Sequence, residues 1–403
     1  AASDVYKRQW GNNENGMIGN GTSDKDEVNR TPVRVQEKTS TGVLVDLSNI
    51  ARIAVGENHV LALSNDGYVY AWGNNSNGQL GNGDTSSTNE KFHDNDTTDG
   101  IYAAQKVYRG ESAATNDDWY IQDVIDFAAG KSFSVALKAD GTVWTWGDNT
   151  YGQLGDGTKI TRGYPIQVKF QNGRDDSAST FGGNNAATAI AAGNNHLLIL
   201  ANGVVYAVGD NSKGQLGNGA TGTTESIVVP VMIDETTTLT GVKNIAAGDD
   251  FSMALLEDGS VYAWGSNKSG QLGDGTTTDS AYAVKVLAGR SGTNAYDPDN
   301  NDYYLNDIVS ISAGQAFAMA LKNDGTVYTW GDNSKGQLGD GTRVNKPTPI
   351  QVLRGESPEE ETNVAPAGSD YLINIVMISA GANHALALSL IHISEPTRLR
   401  CIS

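Results

Sequence analysis

One stretch, Trp330-Gly-Asp-Asn-Ser-Lys-Gly-Gln-Leu-Gly-Asp-Gly341, constrains this chain more than any other, because it occurs six times. The other copies begin at Trp10, Trp72, Trp146, Val208 and Trp264, and the shared pattern is W-G-x-N-x-x-G-Q-L-G-x-G. A pattern that returns every few tens of residues implies like units that must stack on one another, because one unit is too small to bury its own apolar faces.

A second motif, A-x-G-x-x-[HF]-x-x-A-L, precedes the first. Its glycines are Gly56, Gly130, Gly193, Gly248, Gly314 and Gly381, spaced by 74, 63, 55, 66 and 67 residues. The Trp-Gly motif follows its glycine by 16 residues in four units and by 15 where Val208 replaces Trp. Constant spacing inside a variable period describes a rigid unit with adjustable loops. Between the motifs lies a hairpin: Phe133 to Lys138 alternates, Asp140-Gly141 turns, and Thr142 to Trp146 alternates again. The turn recurs at Asp66-Gly67, Asn202-Gly203, Asp258-Gly259 and Asp324-Gly325, and is expected to carry positive φ at both central residues. Two further apolar runs, Val124 to Ala129 and Pro165 to Val168, complete the unit. Four short antiparallel strands per repeat predict an all-β chain, a β-propeller of four-stranded blades. The composition agrees, with 48 glycines and few prolines, and no apolar run approaches the ~18 residues that cross a bilayer.

The Gly-Gln-Leu-Gly loop, the A-x-G-x-x-H-x-x-A-L strand and the D-G-x-V-x-x-W-G hairpin resemble the regulator of chromosome condensation repeat. The resemblance covers roughly residues 10–389 and implies a β-propeller, usually of seven blades. It departs at Gly16-Met17-Ile18-Gly19, which replaces Gly-Gln-Leu-Gly, and at Val208. About six blades are expected here. Five hairpins are whole, with a Trp-Gly half at the start and an Ala-Gly half at the end. The halves either share a sixth blade, which would close the ring, or belong to a fragment of a seven-bladed ring.

Both ends read as foreign to the repeat. Lys7 and Arg8 stand where an aliphatic-aromatic pair should precede Trp10, and Leu390 to Ser403 stands where an Asp-Gly turn should follow Ser389. These ends resemble translated sequencing adaptors. The expected division is therefore a non-native extension at 1–9, a single propeller at 10–389, and a second extension at 390–403.

The formal net charge is -19, which argues against a surface built for nucleic acid, where Lys/Arg patches neutralise phosphate. Cys401 is the only cysteine, so the body has neither a disulfide framework nor a thiolate site. His59, His196 and His384 share one repeat position with Phe133, Phe251 and Phe317. A position that accepts Phe reads as aromatic packing, not metal ligation or catalysis. His93 lies in a loop and His392 in the foreign tail. Gln79, Gln153, Gln215, Gln271 and Gln337 sit in glycine-rich loops that lack the Lys-Ser/Thr of a phosphate loop, and are expected to satisfy loop backbone groups. Acidic runs occur at Asp94-Asn-Asp96, Asp175-Asp176 and Asp297 to Asp302; the last lacks the sixth-position glycine and twelfth-position glutamate of a calcium loop and reads as a solvated loop. No catalytic residue, metal site or cofactor is expected.

The repeated Trp72, Trp146, Trp264 and Trp330, with Leu80, Leu154, Leu216, Leu272 and Leu338, are expected to form the joints between blades. Function is expected in what does not repeat. Three inserts share a frame, from Gly110-Glu111-Ser112 to Tyr120-Ile121, from Gly289-Arg290-Ser291 to Tyr304-Leu305, and from Gly355-Glu356-Ser357 to Tyr371-Leu372. In an up-down meander they share a face with the Asp-Gly turns and lie opposite the Gly-Gln-Leu-Gly loops. A separate addition runs from Asp84 to Thr98. Inserts gathered on one face mark a binding face. Its candidate anchors are Arg109, Trp119, Tyr120, Tyr296, Tyr303, Tyr304, Arg354 and Tyr371.

The expected function is therefore a non-catalytic, protein-binding scaffold, part of a larger bacterial exported or surface protein, with a cytoplasmic location left open. Its protein partner is not legible in the sequence. The family resemblance implies one alternative, guanine-nucleotide exchange on a small GTPase, and analogy with a secreted propeller implies another, inhibition of a hydrolase.

Overall fold

The computed structural model describes residues 7–39, 42–83, 102–110, 119–171, 178–289, 303–355 and 371–389. Five four-stranded antiparallel blades follow one another. The first comprises Ile50–Val55, His59–Ser64, Val69–Gly73 and Gln105–Lys106. The second comprises Val124–Ala129, Phe133–Lys138, Val143–Gly147 and Arg162–Gln167. The third is Ala187–Ala192, His196–Ala201, Val204–Asn211 and Thr223–Pro230, widened by the hairpin Lys169–Gln171 and Ala178–Thr180. The fourth runs from Val242–Ala247 to Ser280–Lys285, and the fifth from Ile308–Ala313 to Lys346–Gln351. Two half-blades flank them: Arg8–Asn13 paired with Asp24–Arg34, and Ile375–Ala380 paired with Ala385–Ser389.

Among the described residues the strands of the two half-blades do not pair with each other. The consequence is visible in exposure. Trp10 is 66% exposed, whereas its repeat equivalents Trp72, Trp146, Trp264 and Trp330 are buried. Leu386 is 63% exposed, although the corresponding Val135, Leu198, Met253 and Met319 are buried. Arg8 and Gln9 lie in the first strand, while residues 1–6 and 390–403 lie outside the described residues.

The Asp-Gly hairpins depart from the expected turn. Only Asn202-Gly203 has positive φ at both central residues, 52° and 73°. At Asp140-Gly141 the glycine alone is positive, and the Asp140 carboxylate accepts from the Thr142 amide at 3.0 Å. Asp258 and Asp324 accept in the same way from Ser260 and Thr326. A carboxylate that bonds the amide two residues on fixes the turn itself, so the aspartate needs no left-handed backbone. The glycine then supplies the bulge of a longer hairpin loop.

Each blade leans on the next through the same parts. Gly67 O, in the turn of the first blade, accepts from Val124 N at the head of the second, and Gly141, Gly203, Gly259 and Gly325 repeat the bond to Ala187, Val242, Ile308 and Ile375. On the opposite face Trp146 Nε1 donates to Gln79 O at 2.9 Å, as Trp264 does to Gln215 and Trp330 to Gln271. Gly81 has φ +67° beneath that indole, and a Cβ there would stand 2.8 Å from Trp146 Nε1 and 2.7 Å from Val107. Leu80, Leu216 and Leu272 are buried in the same clusters as these indoles, and Leu154 and Leu338 are buried at the corresponding positions. Each such side chain contributes about 1.5–3 kcal/mol by leaving water. Val208 lacks the indole donor, and its joint closes on apolar contacts with Phe133, Leu154, Val168 and Leu197.

Candidate functional site

Residue position in a blade decides which end of the propeller a loop reaches. The strand that ends in Ala-Gly turns back beside the start of the Trp-Gly loop, since Asp148 N bonds Ser132 O and Asp332 N bonds Ala316 O. The Gly-Gln-Leu-Gly loops therefore share a face with the Ala-Gly turns. The inserts lead into the next blade beside the Asp-Gly turns, through the glycine bonds given above. The inserts and the Gly-Gln-Leu-Gly loops thus occupy opposite faces. Residues 84–101, which carry the Asp84 to Thr98 addition, lie between the third and fourth strands of the first blade, outside the described residues.

The Gly-Gln-Leu-Gly loops spend their polar groups on themselves. Asn149 Oδ1 accepts from Leu154 N at 3.0 Å, and its Nδ2 donates to Asp156 Oδ1, Thr158 O and Ile160 O. Gln153 Oε1 accepts from Tyr151 N, and its Nε2 reaches Asp148 at 2.8 Å. The same bonds recur around Asn333 and Gln337. In this loop Asp340, pushed up by burial but pulled down more strongly by the Thr342 amide and hydroxyl, Asn333 and Lys346, falls to about 2. A loop whose amides are committed internally has little left with which to cradle a phosphate.

The insert face is built differently. All three inserts are clamped where they meet the blade. Tyr108 bridges Tyr120, Leu287 bridges Tyr304, and Leu353 bridges Tyr371. One residue on, Ile121, Leu305 and Leu372 donate their amides to Val107, Val286 and Val352. The short connector of the third blade uses the same clamp, with Met232 bridging Thr238 and Leu239 bonding Val231. The clamp therefore belongs to the repeat, and the inserts are length added inside it.

The sequence-chosen residues fall into three footholds. Arg109, Trp119 and Tyr120 form the first. Arg109 N donates to Trp119 O at 2.9 Å, Tyr120 stacks on Tyr108 at 5.7 Å, and Lys106 lies 5.5 Å from the Tyr120 ring. Tyr303 and Tyr304 form the second, edge to face at 5.1 Å, with Lys285 4.8 Å from Tyr304. Arg354 and Tyr371 flank the third, both exposed. Trp119 and Tyr371 are 38% and 43% exposed, unusual for large aromatics in this chain. Tyr296 lies outside the described residues, as do Asp94, Asp96, Asp175, Asp176 and the run from Asp297 to Asp302.

The histidines divide. His59 and His196 are buried like Phe133, Phe251 and Phe317, whereas His384, in the last described half-blade, is exposed. Burial lowers both His59 and His196 to about 4. Each contacts a serine of the following blade, Ser134 and Ser252, at 2.9 Å. His93 and His392 lie outside the described residues. Among the described residues no three His, Cys, Asp or Glu side chains gather as a metal set. No helix there is long and apolar enough to cross a membrane.

Sequence reading missed a second concavity. On the Gly-Gln-Leu-Gly face, the turns at the six motif glycines line an axial funnel of about 420 Å³. The signal was present in the repeat. The residue after each motif glycine differs in all six repeats, whereas the glycine itself never changes.

Comparison with known proteins agrees with this architecture. The RCC1-like domain family matches residues 4–288, and the regulator of chromosome condensation (RCC1) repeat matches 258–321 and 324–388. The E3 ubiquitin-protein ligase HERC2 of Homo sapiens is 30% identical over 327 residues, covering 79% of this chain. The chain spans only 6% of that ligase. The ultraviolet-B receptor UVR8 of Arabidopsis thaliana is 29% identical over 371 residues, covering 90% of this chain and 70% of the receptor. Among solved structures, human WBSCR16 has a TM-score of 0.65 at 20% identity, covering 95% of this chain and 81% of that one. Prp20p of Saccharomyces cerevisiae has a TM-score of 0.61 at 22% identity, covering 96% and 80%. With its repeat chemistry, its blades and a domain match over well more than half its length, this chain belongs to the regulator of chromosome condensation repeat family.

Proposed function

We propose that this propeller is a non-catalytic protein-interaction module that holds its partner on the insert face. The observation that carries this reading is the clamp. It fixes both ends of three variable loops to rigid blades, and it leaves Trp119 and Tyr371 exposed beside Arg109 and Arg354. Aromatic and arginine side chains on a rigid frame are the residues that dominate interface energies. The relatives support binding as the general role. UVR8 is a receptor, and Prp20p is described by its binding to Gsp1p and histones. HERC2 is a ligase, but the chain matches only a small part of it.

The test is partner capture by the full chain against two variants. Trp119→Ala with Tyr371→Ala should lose a partner that wild type holds, while Tyr151→Ala on the opposite face should keep it. Equal capture by all three would remove the insert face from consideration. Acceleration of nucleotide release from a small GTPase, or inhibition of a secreted hydrolase, would identify the partner class. An exported or surface setting rests on composition alone, and the sequence of the surrounding gene tests it.

A further inference from the structure

The axial funnel lies on the face opposite the inserts and is independent of the reading above. Three repeat positions line it: Val55 or alanine before the motif glycine, the six motif glycines themselves, and Glu57, Lys131, Asn194, Asp249, Gln315 and Ala382 after them, called here the rim. The rim is held by its own backbone. Lys131 N bonds Asn194 O, Asn194 N bonds Asp249 O, Asp249 N bonds Gln315 O, and Gln315 N bonds Ala382 O, at 3.0–3.1 Å. These bonds leave the rim side chains to face the opening on a rigid frame.

The rim chemistry is uneven. Lys131 pairs with Glu57 at 3.3 Å. Across from them Asp249 is half-buried, and the side-chain amides of Gln315 and Asn194 stabilise its charged form. Burial pushes the Asp249 carboxyl up, and Glu57 adds to this, against those two amides and Lys131. Asp250 is pushed up too, by burial and then by Asp249 and Asp210. A cation at this point would relieve several like charges at once. Besides these side chains the lining includes Val55, five alanine methyls and glycine, against which a short apolar body can rest. A concavity of this size with a few convergent polar side chains can hold a small ligand.

We propose that the axial funnel binds a primary ammonium ion with a short apolar body, the body seated against the alanine methyls and the ammonium held by Asp249 with Asn194 and Gln315. The ligand is either a free alkylamine or the amino terminus of a polypeptide beginning with an aliphatic residue.

The full chain is titrated with n-hexylammonium, hexanol and hexanoate, following backbone amide shifts of Asn194, Asp249 and Gln315. Hexylammonium should bind saturably in about the millimolar range, and the neutral and anionic analogues should not. Asp249→Asn should weaken binding about tenfold or more, the loss of one charge-assisted contact. Ala247→Leu, which fills the wall without changing charge, should also block it. Leu-Ala-Ala with a free amino terminus and its acetylated form separate the two sources, since only the free form should bind if polypeptide ends are taken. Equal binding of all three six-carbon probes, no binding of hexylammonium, or unchanged binding to Asp249→Asn in a folded protein each overturns the proposal.

Discussion

His59 donates from Nε2 to the hydroxyl of Ser134, 2.9 Å away across the joint between the first and second complete blades. The direction follows from the serine. Its one hydroxyl proton goes to Gln79 O at 2.8 Å, so toward His59 it can only accept. The imidazole is thereby fixed as its Nε2–H form, and Nδ1 is left buried with no partner. His196, Ser252 and Gln215 O repeat the arrangement two joints later. Where the aromatic is Phe133, Phe251 or Phe317, the facing position is Leu197, Ala318 or Ala385. Histidine meets serine and phenylalanine meets an apolar residue at every joint the chain displays.

Breaking one half of the pair should cost more than replacing both. Ser134→Ala strands a buried N–H and should destabilise by about 1–3 kcal/mol. His59→Phe with Ser134→Ala copies the Phe251–Ala318 joint and should recover most of that loss. Denaturant midpoints of the two singles and the double, set in a cycle, measure the coupling. A double variant as unstable as Ser134→Ala would contradict the pairing.

The same histidines make stability depend on pH in a defined window. Folded, His59 and His196 protonate only at about 4; unfolded, they protonate at the ordinary 6.5. Above 6.5 neither state binds the proton, so their contribution is fully present. As pH falls from 6.5 to about 4 the unfolded chain takes up protons that the folded chain refuses, and stability is lost. The full difference is worth roughly 3 kcal/mol per histidine. Asp340 acts only further down, its contribution lost as pH drops from 3.8 toward about 2. Denaturant melts at half-unit steps should slope upward between pH 4 and 6.5. Replacing both pairs with Phe–Ala should flatten that segment alone.

The fold was legible because the repeat compares the chain with itself. Shared positions, such as Trp146 and Leu154, announce packing, and the constant 16-residue offset announces a rigid hairpin. The turn geometry was not legible, because Asp140 fixes its turn through the Thr142 amide, a bond that propensity alone does not reveal. The His–Ser pairing was also in the sequence, at Ser134 and Ser252, but it becomes visible only when each aromatic is compared with the following repeat. Of the insert residues, the sequence located the clamp tyrosines Tyr120, Tyr304 and Tyr371. It could not show that Tyr120 stacks on Tyr108 or that Tyr304 meets Tyr303 edge to face, because those contacts depend on how the clamp folds the chain back on itself.

The motif glycines around the axis should tolerate no side chain. A Cβ on Gly130 would lie 2.0 Å from Phe133 Cε1 and 2.8 Å from Gly193 O of the next blade. One obstacle is a ring already packed in the core and the other is backbone, so neither yields cheaply. Gly130→Ala should cost about 1–3 kcal/mol or more through overpacking. By contrast Gly183→Ala, which meets no atom within 4 Å but sits at φ +56°, should cost only its backbone strain. Thermal melts of the two variants should rank Gly130→Ala as the less stable. The reverse order would mean that the axial glycines are not held by close approach.

Asn149 is the test of whether the Gly-Gln-Leu-Gly loops are self-contained. Its amide makes four contacts, accepting from Leu154 N and donating to Asp156, Thr158 O and Ile160 O. Asn149→Asp keeps the shape and the bond from Leu154. It loses every donor and sets a second carboxylate against the buried Asp156, which already carries Arg162 at 2.8 Å. Asn149→Ala loses all four contacts but adds no charge. Burying an unpaired charge costs more than losing neutral hydrogen bonds, so the aspartate variant should be the less stable near neutral pH, by about 1 kcal/mol or more. The order should narrow on acidification, as protonation restores a donor to the side chain. Because the loop faces away from the inserts, hydrogen exchange should quicken at Leu154 while the amides of Arg109 and Ile121 stay protected. Faster exchange on both faces would show that the joint, and not the loop alone, depends on this asparagine.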